Sequence, residues 1–227
     1  AEPTGHRPAA TLRPVGVQFS GMRTLDEIHT WGVVGAGTMG HGIAQVAARR
    51  GYEVVLRDVN AELVEDGLES IESNLSRLEG KEKITDEEAT ATRERISGTT
   101  DLADLADCDF VVEAVVEDMD IKRDVFADLD ETLPEDVVLA TNTSTLSITS
   151  IATATERAER VVGLHFMNPV PVMDGVEVIV GERTAAETVQ LAHDLAEDVG
   201  KTTWESDDKP GFVTNRILMP WIAEGIR

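Results

Sequence analysis

Between Thr30 and Gly200, short apolar runs alternate with longer segments of helical period, and this limits the chain to few architectures. TWGVVGAG, YEVVLRD, DFVVEAV, DVVLATN, RVVGLHF and VEVIV are rich in branched apolar residues and bounded by glycine or polar residues. That is the pattern of strands buried on both faces. Between them, TMGHGIAQVAARRG predicts a helix stopped by Gly51. Asn60–Glu79 reads as a long acidic helix with Leu63, Leu68, Ile71, Leu75 and Leu78 at helical spacing. A further helix opens at TDEE, Thr85–Glu88, and TAAETVQLAHDLAEDVG predicts another, with a capping box at its start and Gly200 at its end. Strands alternating with helices imply βαβ units and an α/β fold with a doubly wound, largely parallel sheet.

The two ends read differently. Residues 1–21, AEPTGHRPAATLRPVGVQFSG, have no usable periodicity and no apolar signal segment, so we expect a disordered extension and a natural start at Met22. A domain over 22–207 follows, then the polar DDKPG as a linker. FVTNRILMPWIAEGIR, within 208–227, reads as the first helix of a second, helical domain that is otherwise missing.

Composition excludes several function classes. Of 227 residues, 43 are acidic and 20 basic, a net charge of −23, which would repel nucleic acid and anionic membranes. No apolar run approaches the ~20 residues of a membrane span. The single cysteine, Cys108, excludes an internal disulfide framework and a multi-cysteine metal site, suits a reducing cytoplasm, and reads as a small buried residue leading into a strand. An acid-rich surface with only 5 lysines is what a salt-rich cytoplasm would favour, where screening removes the cost of self-repulsion.

Two constellations carry chemistry. GAGTMG, Gly35–Gly40, lies between an apolar run and a helix, and Asp58 closes the next apolar run 21 residues past Gly37. There Gly35 permits the tight turn, Gly37 lets backbone approach a pyrophosphate, and Gly40 allows close helix–strand packing; Thr38 and Met39 sit at the helix start. A carboxylate at Asp58 suits ribose hydroxyls and repels a 2′-phosphate, so NAD is preferred to NADP, although Arg57 next to it could pair with that phosphate. The second is GLHFMNPVPVMDGVE, with His165 after an apolar run and Glu177 twelve residues on. A histidine exchanges protons near neutral pH, and a carboxylate that fixes its ring makes it a better base. Spacing alone leaves a second reading open, a strand-end histidine satisfied by a backbone carbonyl.

Taken in order, GAGTMG, VVEAVVED, TNTSTLSIT, GLHFMNPVPVMDGVEVI and KPGFVTNR resemble the L-3-hydroxyacyl-CoA dehydrogenase family, which includes the 3-hydroxybutyryl-CoA dehydrogenases. The resemblance runs from about residue 28 to the C-terminus. It implies a Rossmann domain that binds NAD, an acyl-CoA substrate, and a smaller helical domain that closes the site and forms a homodimer. By the same resemblance His165 is the catalytic base, Glu177 its orienting carboxylate, and Ser144 a serine that hydrogen-bonds substrate. Asn168 and Asn215 belong to the same polar shell, and Glu117 and Lys122 line the nicotinamide and its ribose. Read singly, Ser144 is equally a helix cap, Asn168 a turn residue, and Glu117 and Lys122 solvated charges. Lys81 and Lys83 are candidates to offset the acidic field for an anionic CoA. Two further readings are a weakly active NAD-binding fragment and a dehydrogenase of free 3-hydroxy acids.

Overall fold

The computed structural model describes residues 21–226; the expected extension lies outside them apart from Gly21. Its regular elements are eight strands and seven α-helices, besides three short 3-10 turns. They are β1 Thr30–Val34, α1 Gly40–Arg50, β2 Glu53–Arg57, α2 Ala61–Glu79, α3 Asp86–Glu94, β3 Ile96–Thr99, β4 Phe110–Glu113 and α4 Met119–Thr132. There follow β5 Val138–Thr141, α5 Ile148–Ala152, β6 Val161–Phe166, β7 Gly175–Val180, α6 Ala186–Asp198, β8 Thr202–Asp207 and α7 Thr214–Gly225.

The strands form one sheet in the order β3-β2-β1-β4-β5-β6-β7-β8. Every neighbouring pair is parallel except β6–β7, which is antiparallel. This is the doubly wound, Rossmann-type arrangement, with the order reversing between β1 and β4. Open sheets of this kind hold ligands in the crevice at that reversal, beyond the carboxyl ends of the strands.

Alternating side chains feed two cores, one on each face of the sheet. Trp31 and Val33 face the layer of α1, α2 and α6, while Val34, Val111 and Leu139 face α4 and α5. Trp31 is fully buried and packs edge-on against Phe110 at 4.8 Å, with Tyr52 at 5.4 Å. Truncating an aromatic anchor of this kind costs about 3–5 kcal/mol. Cys108 lies in the second core, and burial, reinforced by Asp109 and Asp107, pushes its thiol up to about 12.

Local chemistry accounts for most element ends. The Asn60 side chain accepts from the Leu63 N–H at 2.9 Å, and Thr85 and Glu88 form a reciprocal capping box at the start of α3. The box expected at the start of α6 does not form. Ala185 caps that helix without a side-chain bond, because the Thr184 hydroxyl instead donates to the Val161 carbonyl at 2.7 Å and accepts from the Gly181 N–H.

β3 and β8 were not predicted. Both lie at sheet edges, so ISGT and TTWESD lack the apolar runs of the central strands. Beyond β8 the chain stays tied to the sheet domain. The Asp208 carboxylate accepts from the Ser147 hydroxyl and the Ile148 and Thr149 N–H groups at the start of α5, and Phe212 is buried in the second core. No residue of α7 is buried; Ile217, Met219 and Trp221 are exposed on it. Among the described residues no helix is long and apolar enough to cross a membrane.

Candidate active site

The turn from β1 into α1 forms the first half of the site. Gly35 has φ +100°, and a Cβ there would lie 2.7 Å from the Ala114 carbonyl oxygen; a Cβ at Gly40 would lie 1.6 Å from the Gly35 oxygen. Backbone therefore packs on backbone at both positions, which only glycine permits. A Cβ at Gly37 would meet nothing within 4 Å, so this peptide, with exposed Thr38 beside it, borders open space. Met39 precedes the first residue of α1 and makes no side-chain cap, so the positive end of the helix dipole has no protein anion bonded at that position. Asp58, at the end of β2, accepts from the Ala36 N–H at 2.7 Å through Oδ2 and from the Val59 N–H through Oδ1. The carboxylate is thus fixed beside the turn, where its remaining lone pairs suit the hydroxyls of a ribose. Turn, helix end and carboxylate fit an adenine dinucleotide, the charge favouring a free 2′-hydroxyl.

The second half lies where β6 meets β7. His165 and Glu177 are directly paired in the antiparallel register, and His165 Nδ1 lies 3.3 Å from Glu177 Oε2. Both are buried, and Phe212 stacks edge-on against the imidazole at 6.1 Å. The other oxygen of Glu177 accepts from the Val213 N–H at 2.7 Å and the Thr214 N–H at 3.2 Å. Burial alone would raise this carboxyl. The bonds from His165, Val213 and Thr214 outweigh it and hold Glu177 at about 2. An ionised Glu177 presents Nδ1 with an acceptor for a ring proton.

Ser144 is held by two further residues of the expected set. Its N–H donates to Glu117 Oε1 at 2.9 Å, and its carbonyl accepts from the Asn215 Nδ2 at 3.0 Å. Glu117 also accepts from the Thr143 hydroxyl and from Thr145, so one carboxylate gathers the whole 143–145 turn. Burial opposes its ionisation, but those bonds and the nearby Lys122 keep its pKa below the usual carboxylate range. Lys122 is placed differently from a crevice residue. Its side chain is 1% exposed, with Nζ 2.6 Å from Glu113 Oε1, 3.3 Å from the Val115 carbonyl and 3.7 Å from Glu117. Glu113 also accepts from the Thr141 hydroxyl at 2.7 Å. Burial pushes Glu113 up, against the pull of Lys122.

Asn168 stands apart from that chain of contacts. It is exposed, precedes a cis peptide to Pro169, and lines a cavity of about 320 Å³ between α1, α2 and the 168–172 segment. His41, Arg77 and Lys81 line the same cavity, whereas Lys83 does not. The segment is fixed by Lys201, whose Nζ donates to the carbonyls of Val170 at 2.6 Å and Met173 at 2.9 Å.

Sequence reasoning passed over Glu113, Lys201 and Thr143. Only Glu113 left a signal there, a carboxylate ending the otherwise apolar run FVVE.

Residues 30–208 match the family model described as 3-hydroxyacyl-CoA dehydrogenase, NAD binding domain. The chain belongs to the 3-hydroxyacyl-CoA dehydrogenase family. A relative from Deinococcus radiodurans, a probable 3-hydroxybutyryl-CoA dehydrogenase, is 49% identical over 197 residues, which cover 87% of this chain and 70% of the relative. The 3-hydroxybutyryl-CoA dehydrogenase of Bradyrhizobium diazoefficiens is 45% identical over 195 residues, 86% of this chain and 67% of the relative. The crystal structure of (S)-3-hydroxybutyryl-CoA dehydrogenase from Ralstonia eutropha superposes with a TM-score of 0.84 at 42% identity, covering 88% of this chain and 73% of that one. Membership of the 3-hydroxyacyl-CoA dehydrogenase family agrees with the dinucleotide cradle at Gly35–Gly40 and makes NAD the cofactor.

Proposed function

We propose that the chain catalyses the reversible, NAD-dependent oxidation of L-3-hydroxyacyl-CoA thioesters to 3-ketoacyl-CoA, with His165 as the base. The buried His165–Glu177 pair carries this reading. Glu177 holds the Nδ1 proton and stabilises the imidazolium, so Nε2 accepts the substrate's hydroxyl proton and returns it in the reverse direction. NAD, when bound, supplies the acceptor for the hydride leaving C3. Gly35, Gly37, Gly40 and the start of α1 hold its pyrophosphate, and Asp58 holds its adenosine ribose. Ser144, positioned by Glu117 and Asn215, donates to the substrate oxygen as charge builds there, with Asn168 a second donor of that shell. Lys122 supports this arrangement from below through Glu113 and Glu117.

The cavity supports a CoA thioester over a free acid. In a chain of net charge −23 it gathers Arg77 and Lys81 along one wall, as a polyanionic ligand needs. The test follows NADH consumption with acetoacetyl-CoA and with free 3-keto acids. Turnover of the thioester, abolished in His165→Ala while NADH binding persists, is expected. Reduction of free acids alone, or a fully active His165→Ala, overturns the reading.

The charge balance further supports adaptation to a salt-rich cytoplasm, because salt screens the mutual repulsion of the acidic surface. Melting temperature and activity should rise with KCl, and values unchanged between low and molar salt overturn that adaptation. The exposed apolar side chains of α7 support pairing with a second copy. Sedimentation as a monomer at all concentrations overturns it.

A further inference from the structure

Lys201 follows Gly200, whose φ of +84° turns the chain from α6 into β8. Its side chain is half-buried, and burial lowers its pKa despite the nearby Asp174 carboxylate. A partly desolvated ammonium needs strong acceptors. Both of its hydrogen bonds among the described residues go to backbone carbonyls, of Val170 at 2.6 Å and Met173 at 2.9 Å. These carbonyls belong to a turn outside any helix or strand, closed where the Pro169 carbonyl accepts from the Val172 and Met173 N–H groups. Carbonyls outside regular structure need a donor from elsewhere, and Lys201 provides it twice. Val170 is also packed against α1, where a Cβ at Gly42 would come within 2.9 Å of the Val170 Cβ. Residues 168–172 line the cavity and Lys201 does not, so it reaches that cavity only through the backbone it grips.

We infer that Lys201 is a positioning residue of the reaction, holding the 168–173 turn so that the Asn168 amide meets the reacting oxygen of the substrate. The assignment rests on the reaction proposed above and on Asn168 as a donor in it. Ser144 is placed by bonds at its own peptide, to Glu117 and Asn215. Asn168 has no such support: among the described residues no hydrogen bond reaches its side chain. The place of its amide is therefore set by the backbone that carries it. That backbone lies just past the end of β6, beyond the ladder bonds of the strand, and two charge-assisted bonds from one ammonium are a strong constraint on it. Precision matters at such a position, because an error of about 1 Å in a group facing the reacting atoms can lower the rate on the order of 10²-fold.

The test is a double-mutant cycle of Lys201→Met and Asn168→Ala, read by acetoacetyl-CoA reduction and NADH titration. Lys201→Met alone should lower kcat about tenfold, with KM and NADH affinity within about threefold of wild type. In the Asn168→Ala background no amide is left to misplace, and the same change should lower kcat by less than about twofold. Lys201→Gln, which keeps a donor for one carbonyl, carries the same cycle if the methionine variant does not fold. A fall of about tenfold in both backgrounds makes Lys201 a structural clamp only. That result, an unchanged kcat in Lys201→Met, or full activity in Asn168→Ala each overturns the assignment while the acyl-CoA reading stands. A wild type that ignores acetoacetyl-CoA and reduces free 3-keto acids overturns the acyl-CoA reading instead. The cycle run on that acid then decides the role of Lys201 by the same comparison.

Discussion

Glu177→Gln separates orientation of the histidine from its mere presence. In the wild type the carboxylate receives three donors, His165 Nδ1 at 3.3 Å, Val213 N at 2.7 Å and Thr214 N at 3.2 Å. Together they lower its pKa from 4.5 to about 2, a preference for the charged form on the order of 3 kcal/mol. The amide has the same shape, yet its two ends differ. If its oxygen keeps the Val213 and Thr214 bonds, its NH2 faces Nδ1 and forces the ring proton onto Nε2, where the lone pair is needed. If it turns over, the NH2 confronts two backbone donors. Either way the imidazolium loses its counter-charge, and kcat should fall on the order of 10²–10³-fold, within the range that general base catalysis supplies. Exchanging charge-assisted for neutral bonds costs about 2–3 kcal/mol, which for a chain of this size lowers the melting temperature by roughly 5–10 °C. Steady-state kinetics with acetoacetyl-CoA, NADH titration and thermal melts read the three quantities, and NADH affinity should hold. A kcat within threefold of wild type would refute the reasoning, because the Nδ1 proton would then not depend on Glu177.

Acid should act through the same group. Its depressed pKa stabilises the fold fully above about 4.5, and that contribution is lost as pH falls toward 2, so melts over this window should decline more steeply for wild type than for Glu177→Gln. At the glycine turn, Gly37→Val should weaken NADH binding at least ~10-fold and shift the melting temperature by no more than ~2 °C, because its side chain meets only open space. Gly40→Ala should fail to fold as wild type, since its methyl would overlap the Gly35 oxygen; a stable, NADH-binding variant would contradict the cradle. Lys122→Met should cost about 3–5 kcal/mol by leaving Glu113 buried and unpaired, and adding Glu113→Gln should recover part of the loss in denaturant titrations.

The α/β alternation was legible because central strands such as VVGLHF are buried on both faces, so their apolar runs are unbroken. Edge strands lack that pressure: TTWESD pairs on one side only, so its sequence carries little record of the ladder it joins. Legibility in the site follows the same division. The glycine turn announces itself because each glycine answers a backbone constraint, and His165 with Glu177 because a short rigid connection returns the chain beside itself. Glu117 was named from resemblance as a group beside nicotinamide, but its grip on residues 143–145 spans 26 to 28 positions and leaves no local pattern.

The Val213 and Thr214 bonds give Glu177 a second duty. One oxygen grips the histidine ring and the other grips the entry to α7, so the carboxylate works as a pin between His165 and the helix. Swing α7 away and two of its three donors leave; the proton affinity of the pin climbs, and its hold on Nδ1 slackens. In the proposed mechanism the orientation of His165 therefore depends on Val213 and Thr214, some fifty residues further along the chain, staying seated on Glu177.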